Sequence, residues 1–200
     1  MDPAEITAGS LHLRVPQLAE VEQIAAACTD PEIARWTRVP SPYGRQDAVA
    51  FVHRSLEDWH ADRAATFAVL DATTAGLLGS VRLVFDPLTS EPLTSNPPAS
   101  GPRYDPDVPG GPTASVGYWT APQARGAGVG RRAVASLCRW GFGFLALERI
   151  SWTAAVGNDA SRRLAEAVGF TVEGVARRGL VLHGRRIDAW TGSLLPGEVR

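Results

Sequence analysis

Apolar positions recur along this chain with two periods, and the points where one gives way to the other mark its elements. Leu11 to Val15 alternate apolar and polar residues as a strand does, after which Leu18, Val21, Ile24, Ala25 and Cys28 recur at helical spacing. Asp30, Pro31 and Glu32 form a helix start: a carboxylate to accept an orphan amide, a proline suited to the first turn, and negative charge at the positive end of the dipole. That helix is short and ends near Trp36. Beyond the Pro40-Ser41-Pro42-Tyr43-Gly44 turn, Ala48, Val52, Ser55, Leu56 and Trp59 line one stripe of a helix over 46–60. Residues 65–71 and 77–85 are apolar and branched, separated by Ala72-Thr73-Thr74-Ala75-Gly76, and read as an antiparallel hairpin of central strands.

From 86 to 113 the composition turns to proline, glycine and serine, so regular structure is not expected there; a lid, a binding loop and disorder all remain open. Strand character returns over 114–120. After a run of glycines, Val129, Ala133, Val134, Leu137, Cys138, Gly141, Phe144 and Leu145 make a long helical stripe. Residues 149–156 read as a strand, and Asn158-Asp159-Ala160-Ser161 opens a helix whose Ala160, Leu164, Ala167 and Val168 share a face until Gly169 caps it. A strand over 170–175 and a hairpin over 179–195, turning at His183-Gly184, complete the chain. Strands and helices in this order give a mixed α/β fold, a mixed sheet covered by helices, in a single domain spanning 1–200.

Composition narrows the classes of function. With 200 residues and a formal net charge of -1, the chain holds one full core and lacks the basic excess of a general nucleic-acid binder. Cys28 and Cys138 are the only cysteines, each within an apolar helical pattern, so neither a disulfide framework nor a zinc site follows. The amino terminus lacks the features of a secretory signal and no apolar run reaches membrane-spanning length, which sets a cytoplasmic expectation with no membrane partner.

The chemistry concentrates between Tyr118 and Gly130, where a strand turns through glycines into the long helix. Glycines let a backbone approach a ligand closely, and the free amides and dipole of a helix start favour an anion such as pyrophosphate. The dinucleotide fingerprint fails for want of a glycine at Arg131, and the Walker motif fails for want of its glycine-lysine-hydroxyl ending. On the turn alone, an anion cradle and a tight packing turn are both open.

The run Gln123-Ala124-Arg125-Gly126-Ala127-Gly128 resembles the acyl-coenzyme-A pyrophosphate motif of the GNAT N-acetyltransferase superfamily. The likeness extends to Gly117-Tyr118-Trp119, Glu148-Arg149-Ile150, Asn158-Asp159-Ala160-Ser161 with Val168-Gly169-Phe170, Glu173-Gly174 and Gly184-Arg185-Arg186-Ile187-Asp188. That ordered set is similar to the RimJ/RimL-like branch, which acetylates ribosomal-protein amino termini and includes relatives acting on other amines. Asp30-Pro31-Glu32, Arg35-Trp36 and Pro42-Tyr43 are similar to it as well.

The resemblance implies a GNAT fold, acetyl-CoA as co-substrate, a primary amine as acceptor, direct attack in a ternary complex without metal, and a plausible homodimer. It implies that the backbone of Arg125, Gly126, Ala127, Gly128, Val129 and Gly130, with Gln123 and Arg131 beside it, holds the pyrophosphate, and that Tyr118, Trp119 and Thr120 pair with the pantetheine arm. It also implies that Asn158 contacts that arm and that Ser161 donates a hydrogen bond to the leaving thiolate; both residues have an ordinary alternative as helix caps. Arg131-Arg132 and Arg162-Arg163 flank the phosphate region, and Trp36 and Trp59 are candidates to line the acceptor pocket. Where related sequences carry a strand glutamate, this chain has Ser115, which leaves the general base open among Asp86, His53, Glu57, His60, His183 and a water relay. A non-catalytic acyl-CoA module and an unrelated nucleotide-binding protein are the competing readings.

Overall fold

A computed structural model describes residues 1–86 and 110–200; most of the proline-rich 86–113 segment lies outside the described residues. The strands are β1 (Ile6–Ala8), β2 (Leu11–Arg14), β3 (Ala64–Asp71), β4 (Leu77–Phe85), β5 (Thr113–Thr120), β6 (Arg149–Ala155), β7 (Thr171–Leu182) and β8 (Arg185–Leu194). The helices are α1 (Val21–Cys28), α2 (Pro31–Trp36), α3 (Arg45–His60), α4 (Val129–Phe144) and α5 (Asp159–Val168). No described helix is long and apolar enough to cross a membrane.

The strands form one eight-stranded sheet in the order β1-β2-β3-β4-β5-β6-β8-β7. Every pairing among the described strands is antiparallel except β5 with β6, which are joined through α4. Alternation along the strands sorts side chains to two faces. Phe67, Val81, Leu83, Val116 and Trp152 pack with Val134, Leu137 and Cys138 of α4 in the main core. Ala68, Leu70 and Leu77 pack with Val21, Ile24, Ile33 and Val52 from α1, α2 and α3 in a second cluster.

Several sequence expectations are corrected by packing. Leu18 lies in a short 3-10 turn before α1 and is exposed, because the bidentate Arg14–Glu20 pair, at 2.8 and 3.0 Å, turns the chain there. Leu56 and Phe144 sit at the margins of their helical stripes and face solvent, Phe144 stacked on Trp140 at 5.8 Å. On α5 Ala160 is exposed and Ala165 is buried. The strand over 170–175 and the first arm of the late hairpin are one strand, β7, interrupted by a bulge between Ala176 and Leu180. There Arg178 takes φ +51° and its amide donates to the Asp188 carboxylate at 2.8 Å. β1 is too short for any periodicity to reveal.

Asp30 joins the second cluster to the glycine turn. Its carboxylate caps α2 by accepting from the amides of Glu32 and Ile33 at 3.1 and 3.0 Å, and also receives the Arg125 guanidinium at 2.5 Å. The hydrogen bond from Arg125, aided by the capping amides, holds the Asp30 carboxyl below the usual aspartate range. A depressed folded value stabilises the fold fully above the unfolded pKa and is lost as pH falls through the folded one. Asp30→Ala is therefore expected to cost about 1 kcal/mol or more at neutral pH, in line with a lost cap. In urea unfolding, its deficit against wild type should begin to shrink as pH falls below the ordinary aspartate value of about 4, and should close only below the depressed folded one.

Candidate active site

The only parallel pair among the described strands comes apart. β5 and β6 are paired from Thr113↔Arg149 to Val116↔Trp152 and no further, whereas β5 continues against β4 to Thr120 and β6 continues against β8 to Ala155. Beyond Val116 the facing edges of the two strands therefore have no strand partner among the described residues; Arg125 Nε donates to the Thr120 carbonyl at 3.3 Å and the Asn158 amide to the Ala155 carbonyl at 3.0 Å. A cleft of about 1100 Å³ opens at this split. Gly117 and Trp119 of β5 form part of its floor, with Trp36 and Phe51 on one side and Leu180 and Leu182 of β7 on another.

The glycine turn and the starts of α4 and α5 meet at the split. Of the residues assigned to coenzyme from sequence, all but Gln123 and Ala127 line this cleft. Gln123 instead donates from Nε2 to the Leu77 carbonyl at 3.1 Å, fastening the turn to β4, and the Ala127 carbonyl accepts from Arg132 at 3.0 Å. Gly128 stands just before α4 with φ +71°, a left-handed conformation that directs the first helical amides outward. A side chain at Gly130 would meet Leu164 at 2.8 Å and Thr120 Oγ1 at 2.9 Å, so this glycine lets α4 close against α5 and β5. The turn is thus both a packing device and a concave set of free amides, a cradle that fits a pyrophosphate. The basic pairs divide their work. Arg131 and Arg163 line the cleft, while Arg132 holds Ala127 and Arg162 pairs with Glu166 at 3.0 Å and lies over the Trp190 ring.

Ser161 is held by both separated strands. Tyr118 Oη of β5 lies 2.9 Å from Ser161 Oγ and 3.1 Å from the Ser161 carbonyl, and Trp152 Nε1 of β6 donates to Ser161 Oγ at 3.1 Å. An indole only donates, so Ser161 Oγ accepts there; the serine proton is then free for Tyr118 or for the cleft, according to how the phenol turns. Burial pushes the Tyr118 phenol up to about 12, which keeps it protonated and able to donate at neutral pH. Asn158 accepts from the Ser161 amide at 3.2 Å, the cap its sequence position suggests, and lines the same cleft.

The end of the cleft beside α3 holds a residue that sequence reasoning missed. Asp58 lines the cleft, whereas His53, Glu57 and His60 are exposed on other faces of α3, and Asp86 is engaged by Thr113 Oγ1 at 2.6 Å away from it. His183 lies outside the cleft lining, its ring 3.4 Å from the Arg35 carbonyl. The signal was present: Phe51, Arg54, Ser55 and Asp58 follow i, i+3, i+4, i+7 and all face the cleft. Asp58 is not free, since Arg63 holds one oxygen at 2.7 Å and Arg82 lies 3.6 Å from the other. Trp36 lines the cleft, but Trp59 is fully buried, donating to the Thr66 carbonyl at 3.0 Å.

Residues 10–171 match the model of the acetyltransferase (GNAT) domain family. The chain is 41% identical over 85 residues to the Bacillus subtilis (strain 168) protein named "Putative ribosomal N-acetyltransferase YdaF", a stretch covering 42% of this chain and 46% of that protein. The aligned part thus spans about half of that curated relative. Among solved structures, Mycobacterium smegmatis RimJ in complex with CoA-disulfide superposes with a TM-score of 0.76 at 18% identity, covering 98% of this chain and 87% of that one. The apo ribosomal L7/L12 alpha-N-protein acetyltransferase RimL gives 0.76 at 15% identity, covering 96% and 94%. Likeness at such identity is likeness of fold, but the family match extends over most of the described chain and takes in the split strands, the glycine turn and the start of α5 together. The chain belongs to the GNAT acetyltransferase family.

Proposed function

We propose that this chain transfers an acetyl group from acetyl-CoA to a primary amine, with the α-amine of a peptide or protein as the acceptor. The observation that carries this reading is the convergence of the glycine turn and Ser161 on one cleft where β5 and β6 part. The amides from Gly126 to Gly130 would hold the pyrophosphate, since the Arg125 amide is taken by the Pro122 carbonyl at 3.3 Å; the edge of β5 from Tyr118 to Thr120 would pair with the pantetheine arm, and Asn158 would flank it. When bound, acetyl-CoA supplies the thioester carbonyl that the amine attacks. Ser161, kept in place by Tyr118 and Trp152, offers its hydroxyl proton to the departing sulfur.

The acceptor end favours an amine that needs little help. Ser115 stands on the floor of the cleft where a strand carboxylate would otherwise serve as base, and Asp58 is committed to two arginines. Freeing a lysine amine at pH 7 costs roughly 4 to 5 kcal/mol, but an α-amine only about 1. The names of the relatives, a ribosomal N-acetyltransferase and an alpha-N-protein acetyltransferase, agree with an α-amine acceptor.

Purified protein with acetyl-CoA should release thiol in the presence of peptides bearing a free amino terminus, and should not do so with the same peptides blocked at that terminus and carrying one lysine. Tight coenzyme binding with no release across such a panel would favour a non-catalytic acyl-CoA module. Ser161→Ala is expected to lower kcat by roughly 10- to 100-fold, at or below the usual worth of a positioned proton donor, with KM for acetyl-CoA little changed. Unchanged turnover would remove Ser161 from the mechanism. Gly128→Ala forces a side chain into the left-handed region at a cost of about 1 to 2 kcal/mol, and should weaken coenzyme A binding in calorimetry by about tenfold.

A further inference from the structure

The charges lining the cleft are unbalanced. Its lining includes Arg38, Arg54, Arg82, Arg125, Arg131 and Arg163, but only two carboxylates, Glu32 and Asp58. Arg125 is answered by Asp30, and Arg131 and Arg163 stand beside the glycine turn where a pyrophosphate would meet them. That leaves Arg38, Arg54 and Arg82 at the other end. Glu32 is taken by Trp36 Nε1 at 2.9 Å, and Asp58 is shared between Arg63 and Arg82. Arg38 and Arg54 have no ion-pair partner among the described residues.

Arg82 is the centre of this group. It lies opposite Gly117 in the β4–β5 register, and the missing side chain of Gly117 leaves room for its stem, whose Cγ would sit 3.4 Å from a Cβ there. Its Nε is buried without a hydrogen-bond partner among the described residues, a donor that costs free energy while it remains unmet. Burial first, and then the neighbouring charges of Arg38 and Arg54, hold its guanidinium below the usual arginine range despite Asp58. Cations brought this close around an unanswered donor are stabilised by an anion that completes the set.

We propose that Arg38, Arg54 and Arg82 form an anion subsite at the acceptor end of the cleft, which selects peptide amino termini carrying carboxylates within their first few residues. The proposal rests on the acetyl-transfer reading for the role of the bound peptide, though not for the binding itself. It sets polycationic amines apart as poor acceptors, because each added positive charge would face the same three guanidiniums.

Two peptide amides test it, Ser-Asp-Glu-Ala-Tyr and Ser-Lys-Lys-Ala-Tyr, each titrated by calorimetry into the full chain saturated with coenzyme A and each assayed for thiol release from acetyl-CoA. The acidic peptide should bind at least tenfold more tightly, and the preference should shrink as salt is raised from about 0.05 to about 0.5 M. Arg54→Gln, an exposed change that leaves the core untouched, should abolish most of the preference while coenzyme A affinity stays within twofold; Arg82→Gln should do the same. Preferential acidic binding without thiol release would uphold the subsite and reject acetyl transfer. Thiol release with equal use of both peptides would uphold acetyl transfer and overturn the subsite, as would tighter binding of the lysine peptide, no binding of either peptide, or a preference that survives both substitutions.

Discussion

The site depends on one geometric constraint: two neighbouring parallel strands that cannot stay paired. After Val116 and Trp152 each strand keeps its outer partner, β4 for β5 and β8 for β6, while the edges between them separate. A sheet normally satisfies its own backbone, so an interior split of this kind is costly unless something else fills it. Arg125 Nε and the Asn158 amide meet part of that need at the Thr120 and Ala155 carbonyls, and side chains bridge the gap. Tyr118 reaches from one strand and Trp152 from the other, and both end on Ser161 at the first turn of α5. Ser161, the residue proposed to donate to the leaving sulfur, is thus also the one that ties the two sides of the opening together.

The rest of the molecule fixes the edges of that opening. α4 fills the face behind β4 and β5 and begins at the glycine turn, whose left-handed Gly128 and close-packed Gly130 set where the helix amides point. On the opposite face α1, α2 and α3 form their own apolar cluster and present Trp36, Arg54 and Asp58 to the acceptor end. Asp30 couples the two halves, capping α2 while gripping Arg125 of the turn. The wall formed by α2 and α3 is therefore braced directly on the glycine turn.

Much of this was legible in the sequence, for identifiable reasons. Helix periodicity, the Asp30 cap, the positive-φ His183-Gly184 turn and the cleft positions of most turn residues follow from local rules, because short-range sterics and hydrogen bonding decide them. The glycine turn and the start of α5, proposed for the coenzyme, are local too. What escaped was long-range. Nothing in Gln123 itself says that it fastens the turn to Leu77, nor in Arg125 that its charge is spent on Asp30, since those partners lie far away in sequence. The continuity of β7 through its bulge was hidden by Ala176, Arg177 and Arg178, which fall between the two strand readings although β8 continues opposite them. Residue type alone does not separate Asp58 from His53, Glu57 and His60 on the same helix; the face it shares with Phe51, Arg54 and Ser55 does.

The most direct test of the split as a coenzyme site is a titration of isotope-labelled protein with coenzyme A, followed by amide NMR shifts. The amides of Gly117 to Thr120 on β5 and Arg125 to Gly130 in the turn are expected to move together and to saturate at one dissociation constant, with those of β1 and β2 unmoved. Saturating shifts confined to another surface, with these amides still, would contradict the assignment of the split strands and the glycine turn to the coenzyme.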